Sequence, residues 1–302
     1  MILELFSEIL LVANKVLFPA SNQKDNFMSA ISRVASGVAS SITRLPLPLP
    51  IQKLAINAMP VGFWTKSQAY QQCLANRIIA RYGAVVQGGP FKGLKYISAA
   101  EDGCLVPKLL GCYEEELSGE IERFISKGYD RVIDVGCASG YFLTGLAYRQ
   151  PKAEAYGFDT DEPARSRCAQ NIAFNGLGDR VKLGGFCTPE HLNSLIVGRT
   201  LIIVDCEGGE FEVLNPAACP NLANTDVIVE LHDFINDKIT GALTERFRNS
   251  HAIEIIKTRD RKPDVKVYPG LDALPQSDWS EALSERRPCL MEWMILRSRA
   301  GA

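Results

Sequence analysis

No sign of charge dominates this 302-residue sequence: 33 lysines and arginines stand against 35 aspartates and glutamates, leaving a formal charge of -2. A chain without a positive field has nothing to collect phosphate backbones, so nucleic acid is not expected as a partner. The nine cysteines lack any Cys-x-x-Cys spacing, are odd in number and lie scattered in apolar segments. That excludes a zinc ribbon or disulfide scaffold and points to reduced thiols in a cytoplasm. No apolar run reaches the ~20 residues of a membrane span: Glu4, Glu8 and Lys15 interrupt the apolar first eighteen residues, whose acidic start is unlike a signal peptide. Repeats and low-complexity tracts are absent too. What remains, 46% hydrophobic and 23% charged, is the composition of a globular protein with room for one large α/β domain and an appendage.

At helical spacing, residues 1–18 place Glu4, Ser7, Glu8, Asn14 and Lys15 on one narrow stripe and leave the rest of the surface apolar. Such a helix needs a cover, which we expect to be the helix suggested by Asp25 to Arg44 or the main domain. A dimer contact or a peripheral membrane contact through residues 1–44 is the alternative, weakened by the missing basic face. Leu45-Pro46-Leu47-Pro48-Leu49-Pro50 reads as an extended connector, because each proline lacks an amide and restricts the residue before it. The organisation expected is therefore an N-terminal extension and connector over 1–50, a cap region over 51–117 with a helix to about Tyr82 and a hairpin over Val85 to Ile97, and the main domain over 118–302.

From Arg131 onward short runs rich in valine and isoleucine alternate with helical segments: Val132–Val135, Ala153–Phe158, Val181–Leu183, Leu201–Val204 and Val227–Leu231, then Ala252–Lys257 and Cys289–Leu296. Runs that are apolar without alternation suit strands buried on both faces of a parallel sheet. The expected fold is a Rossmann-like, doubly wound α/β sheet.

The first run leads into Asp134-Val135-Gly136-Cys137-Ala138-Ser139-Gly140-Tyr141, a strand, a glycine turn and a helix start. Gly136 permits a sharp turn beneath a ligand, and Gly140 lets the next helix approach closely with its first amides free. Asp159 closes the second run, where a carboxylate can accept both hydroxyls of a ribose. A pyrophosphate binder wants Gly-x-Gly-x-x-Gly, and the position of its second glycine is Ala138 here. That tilts the choice of nucleoside cofactor from a dinucleotide toward S-adenosylmethionine, with Asp134 available to the amine of its methionine part. Phe186 and Cys187 follow the third run and either flank the adenine or pack in the core.

These residues resemble class I methyltransferases, and within them the FkbM-type family. The likeness lies in Asp205-Cys206-Glu207-Gly208-Gly209-Glu210-Phe211-Glu212-Val213-Leu214, in Val227-Ile228-Val229-Glu230-Leu231-His232 and in Gly111-Cys112-Tyr113-Glu114, and it covers about residues 110 to 300. Residues 1–100 carry no resemblance. The family implies a seven-stranded, mostly parallel sheet, an S-adenosyl-L-methionine cofactor and transfer to an oxygen of a small molecule or a glycan sugar. Ala138 and Cys206 depart from the family's usual glycine and aliphatic residue, and neither bears on the acceptor. The Asp/Asn-Pro-Pro-Tyr/Phe motif of N-methyltransferases is absent, which argues against amine or base-nitrogen acceptors.

Methyl transfer is an in-line displacement, so the protein must align the acceptor and remove its proton. Ligands of open parallel sheets sit beyond the carboxyl ends of the strands, where Asp205, Glu207, Glu230, His232 and Asp233 fall. His232, one of only three histidines, is a candidate base; Asp205 is its rival, and His232 capping a loop carbonyl is the plainer account. The cofactor-contacting set expected is Asp134, Gly136, Cys137, Ala138, Gly140, Tyr141, Asp159, Phe186, Cys187 and Asp205. A metal-free reaction is preferred; a divalent cation on Asp205, Glu207 and Glu230 is the alternative. Glu210 has a plain account as a first-turn helix acid, and His191 and His251 read as surface or loop residues. Two other classes stay open: a non-catalytic cofactor-binding module anchored through its N-terminal helices, and a nicotinamide-dependent oxidoreductase.

Overall fold

The computed structural model describes residues 41–59, 63–97, 104–287 and 289–301. The expected helix over 1–18, nearly all of that over Asp25 to Arg44, and with them the dimer or membrane role, lie outside the described residues. The described residues form two compact units, one up to Arg77 with Cys104 and Leu105, the other made of the rest from Ile78.

The first unit holds the helix α1 (Leu49–Ala58) and most of α2 (Phe63–Tyr82). The expected connector is shorter than its prolines suggested, because α1 begins at Leu49 and takes Pro50 into its first turn. An amide there would have no helical partner, so a proline costs nothing. The carbonyls of the remaining proline stretch are satisfied by side chains: Gln52 Nε2 donates to Leu45 O at 2.9 Å and Arg77 to Leu47 O at 2.9 Å.

The second unit is the α/β domain. Helices α3 (Leu105–Leu110) and α4 (Ser118–Lys127) precede the alternation β1 (Arg131–Val135), α5 (Tyr141–Arg149), β2 (Glu154–Phe158), α6 (Glu162–Phe174), β3 (Val181–Gly184), α7 (Pro189–Leu195), β4 (Thr200–Val204), α8 (Glu210–Val213), β5 (Asp226–Leu231), α9 (Ile239–Phe247), β6 (His251–Lys257), α10 (Trp279–Leu283) and β7 (Glu292–Ser298). The seven strands run in the order β3-β2-β1-β4-β5-β7-β6, with β7 antiparallel to both its neighbours and the other pairings parallel. This is the Rossmann-like sheet expected. Every residue of β4 and β5 is buried, which is why Thr-Leu-Ile-Ile-Val and Asp-Val-Ile-Val-Glu-Leu lack alternation. Asp161 and Thr188 start α6 and α7 by accepting the Ala164 and His191 amides.

On one side of the sheet Ile133, Ile202, Val204, Val227, Val229, Leu192, Leu243 and Phe247 form an aliphatic core. Nearby, Phe91, Tyr96 and Tyr113 each meet the Tyr141 ring edge-on, with centroids 5.2 to 5.5 Å apart. Gly145 of α5 admits the Phe91 ring, since a Cβ there would lie 2.5 Å from it.

Three expectations need correction. Val85 to Ile97 reverses the chain but holds a single bridge, Val85 with Lys95, because Gly88-Gly89 turns away to pack against the Gly111 backbone. The last strand starts at Glu292, where its pairing with Leu231 begins, three residues later than expected. His251 is fully buried at the start of β6, its ring nitrogens 2.8 Å from Ser250 Oγ and 2.9 Å from Thr225 O. Among the described residues no helix is long and apolar enough to cross a membrane.

Candidate active site

β1 and β4 lie side by side although three elements separate them in sequence, and their carboxyl ends define the place where an α/β sheet receives a ligand. Gly136 turns the chain there with φ +89°, and a Cβ on it would overlap the Asp205 carbonyl oxygen at 1.6 Å. Only glycine fits so close a crossing. Ala138 follows with φ +45°, a left-handed conformation costly for a residue with a side chain. Its amide is thereby turned to donate to Asp159 Oδ2 at 2.8 Å. Asp159 Oδ1 accepts from Asp161 N at 2.8 Å, so both carboxylate oxygens are fixed and each keeps a further lone pair. The loop is braced from behind by Asn171, which donates to Ser139 O, and by the Tyr96 hydroxyl 2.6 Å from Ser139 Oγ. Gly140, with φ +83°, leads into α5 beside Cys168 Sγ and lines neither pocket.

A cavity of about 340 Å³ opens at these strand ends, within the range of small-molecule sites. Gly136, Asp159, Phe186, Cys187 and Asp205 from the expected set line it, together with Thr160, Glu207 and Glu212. Phe186 is 72% exposed at the cavity, whereas Cys187 is buried. Beside it lies a pocket of about 30 Å³, walled by Asp134, Cys137, Ala138, Tyr141, Tyr113 and Lys108, which shares Gly136 and Asp205 with the larger one.

Asp134 is buried at the end of β1, and its carboxyl is pushed up to about 8 by burial and by the charge of Asp205, against the opposing hydrogen bond from the Leu143 amide. Burial likewise raises Asp205 and Glu230, and the negative charge of Asp205 raises Glu230 further.

His232 follows β5 and is 1% exposed. Its Nδ1 lies 2.9 Å from Glu210 Oε1, while Nε2 faces Glu230 and Glu207 at 3.5 Å and Asp205 at 3.7 Å. Burial opposes protonation of the ring, but Glu210, Asp205 and Glu207 together outweigh it and hold the imidazole above its ordinary pKa. Glu210, fully buried, is in turn held below the usual carboxylate range, its burial outweighed by His232 and backbone amides. Its Oε1 accepts from Cys206 N at 3.0 Å and Gly208 N at 3.2 Å, so one carboxylate shapes the turn after β4 and anchors the histidine. The plain first-turn account of Glu210 is too small for this arrangement; the signal that would have found it is an acid five residues after Asp205 on the one helix that starts against the β5 end.

Glu230 turns to Arg287, 2.7 Å away, and Arg287 also pairs with Glu114 and Glu285. Among the described residues the group here whose ligand atoms approach closely enough to share a cation is Asp205, Glu207 and His232, with the histidine in the place expected for Glu230. His232 lines neither pocket, whereas Asp205 lines both.

No family model matches the chain, and no curated protein sequence matches it. Solved structures similar to it are distant. An rRNA methylase from Streptococcus thermophilus is 12% identical over 61% of this chain and 97% of its own, with a TM-score of 0.42. The precorrin-6y C5,15-methyltransferase of Geobacter metallireducens is 13% identical over 58% and 84%, with a TM-score of 0.41. A provisionally assigned O-methyltransferase from Klebsiella pneumoniae is 12% identical over 82% and 97%, with a TM-score of 0.39.

Proposed function

We propose that this chain is an S-adenosylmethionine-dependent methyltransferase of the FkbM type that methylates a hydroxyl of a small molecule or a glycan sugar. The observation that carries the reading is the cavity at the β1, β2 and β4 ends with the Asp159 carboxylate fixed at its wall. The donor set fits the cofactor: Asp159 has lone pairs for two ribose hydroxyls, the buried Asp134 can face an ammonium, and the exposed Phe186 ring can cover an adenine. Carboxyl groups on both pockets also favour a sulfonium cation over a dinucleotide's phosphates. When bound, the cofactor supplies a methyl group already activated for transfer.

Asp205 is the proton acceptor in this reading, because it lines both pockets and burial brings its carboxyl closer to the working pH of a base. His232 is a positioning residue. Enclosed behind Asp205 and charged through Glu210, it holds the carboxyl groups of Asp205, Glu207 and Glu230 around one imidazole. A metal-free reaction needs nothing further from these residues.

Calorimetric titration with S-adenosylhomocysteine tests the cofactor site. Wild type should bind and Asp159→Ala should lose at least tenfold in affinity, the worth of charge-assisted hydrogen bonds; equal affinity in the two proteins would refute the ribose assignment.

A further inference from the structure

We propose that Lys108 is the cation that receives the carboxylate of the cofactor's methionine part, so that the small pocket grips a zwitterionic amino acid between a lysine on one wall and Asp134 on the other. The inference rests on the cofactor reading above and goes beyond it, since that reading leaves the carboxylate unassigned.

The pocket of about 30 Å³ is lined by side chains of both signs, with Lys108 the only basic residue and Asp134 and Asp205 the acids among the described residues around it. A water-sized group needs roughly 10–15 Å³ of such space, so two or three such groups fit, the size of a carboxylate. Because Gly136 and Asp205 belong to both cavities, a ligand whose sugar lies at Asp159 has its short tail directed here.

Lys108 is a costly residue to place there. It is 5% exposed in the helix Leu-Val-Pro-Lys-Leu-Leu, all of whose other residues are buried, and a buried ammonium needs anionic or polar company. The Tyr113 ring supplies part of that company, with its centroid 4.7 Å from Nζ. Glu285 also feels the Lys108 charge, but its two oxygens engage Arg261 at 2.6 Å and Arg287 at 2.8 Å. The lysine is thus held by a helix and an aromatic face at the wall of a small polar hollow. An amino-acid ligand has one acid and one base to offer, and this pocket presents the complement of each.

Two ligands separate this proposal from the cofactor reading. S-adenosylhomocysteine carries the amino-acid tail, and 5′-methylthioadenosine keeps the nucleoside without it. Calorimetry on wild type and Lys108→Met should show S-adenosylhomocysteine weakened by roughly 10- to 100-fold in the variant, the worth of a charge-assisted hydrogen bond, and 5′-methylthioadenosine changed less than twofold. A variant that binds S-adenosylhomocysteine as wild type does, or that weakens both ligands equally, overturns the assignment and leaves the cofactor site standing. Wild type binding neither ligand overturns the cofactor reading and this inference with it. Should Lys108→Met fail to fold, the carboxyl methyl ester of S-adenosylhomocysteine makes the same test on wild type: a loss of similar size supports the lysine, and unchanged affinity rejects it.

Discussion

Replacing Asp134 by asparagine should make the ligand-free protein more stable while weakening its hold on cofactor. The carboxyl ionises near its ordinary 3.8 in the unfolded chain and at about 8 in the folded one, because it is buried beside Asp205. Between those values the unfolded chain releases a proton that the folded chain keeps, so raising the pH favours unfolding by about 1.4 kcal/mol per pH unit. The penalty is absent below the lower value, grows to on the order of 4 kcal/mol at pH 7, and levels off above the upper one. Asparagine has the same shape, and its carbonyl can accept the Leu143 amide as the carboxyl does. It carries no proton to lose. Urea denaturation of both ligand-free proteins at pH 5, 6, 7 and 8 checks this, since titrations elsewhere in the molecule cancel in the difference. The gap between variant and wild type should widen steadily across the series, with S-adenosylhomocysteine affinity reduced in the same variant. A gap that stays level with pH would show that Asp134 is ionised in the folded protein and that its burial carries no penalty.

Asp205→Asn should cut kcat by about 10²- to 10⁴-fold, the usual worth of a positioned base, while S-adenosylhomocysteine affinity changes little; steady-state kinetics on an accepted hydroxyl compound and calorimetry read the two effects separately. Glu210→Gln removes the partner that most strongly favours the His232 cation, so burial then prevails and the ring pKa falls below its ordinary value. Proton NMR of the imidazole against pH would show that drop, and an unmoved titration would mean that Glu210 does not set the charge of His232.

The sheet was legible because its strands are buried on both faces: Val132 to Val135, Leu201 to Val204 and Val227 to Leu231 have no polar side to hide the pattern. The segment from Val85 to Ile97 was not, since its glycines serve a close approach to the Gly111 backbone that lies far off in sequence. Which strand ends would meet was legible for the same reason as the sheet. Acids that close parallel strands, such as Asp159 and Asp205, share one edge whatever the loops do. His251 was misread because Asn249-Ser250-His251 looks like a turn, and the Thr225 carbonyl that takes up the ring belongs to another strand. Glu210 and Lys108 were hidden by a more general ambiguity. An acid in the first turn of a helix and a lysine in a short apolar helix each have an ordinary surface explanation, and only the packing of other elements against them shows that neither is at the surface.

The same ambiguity explains where the cost of this site is placed. Four carboxyl groups, Asp205, Glu207, Glu210 and Glu230, face one imidazole, and a fifth, Asp134, stands buried at the neighbouring strand end. Only Glu210 is held below the ordinary range, while Asp134, Asp205 and Glu230 are raised. Packing alone would favour apolar residues at such positions. A cationic ligand changes the balance, because it stabilises the ionised carboxyls that burial disfavours, and the energy withheld in the ligand-free protein returns as affinity. Affinity should therefore rise with pH as long as the protein must give up the Asp134 proton to admit an ammonium, and the rise should end near pH 8, where both that carboxyl and an α-amino group (about 7.7–8.0 when free) change charge.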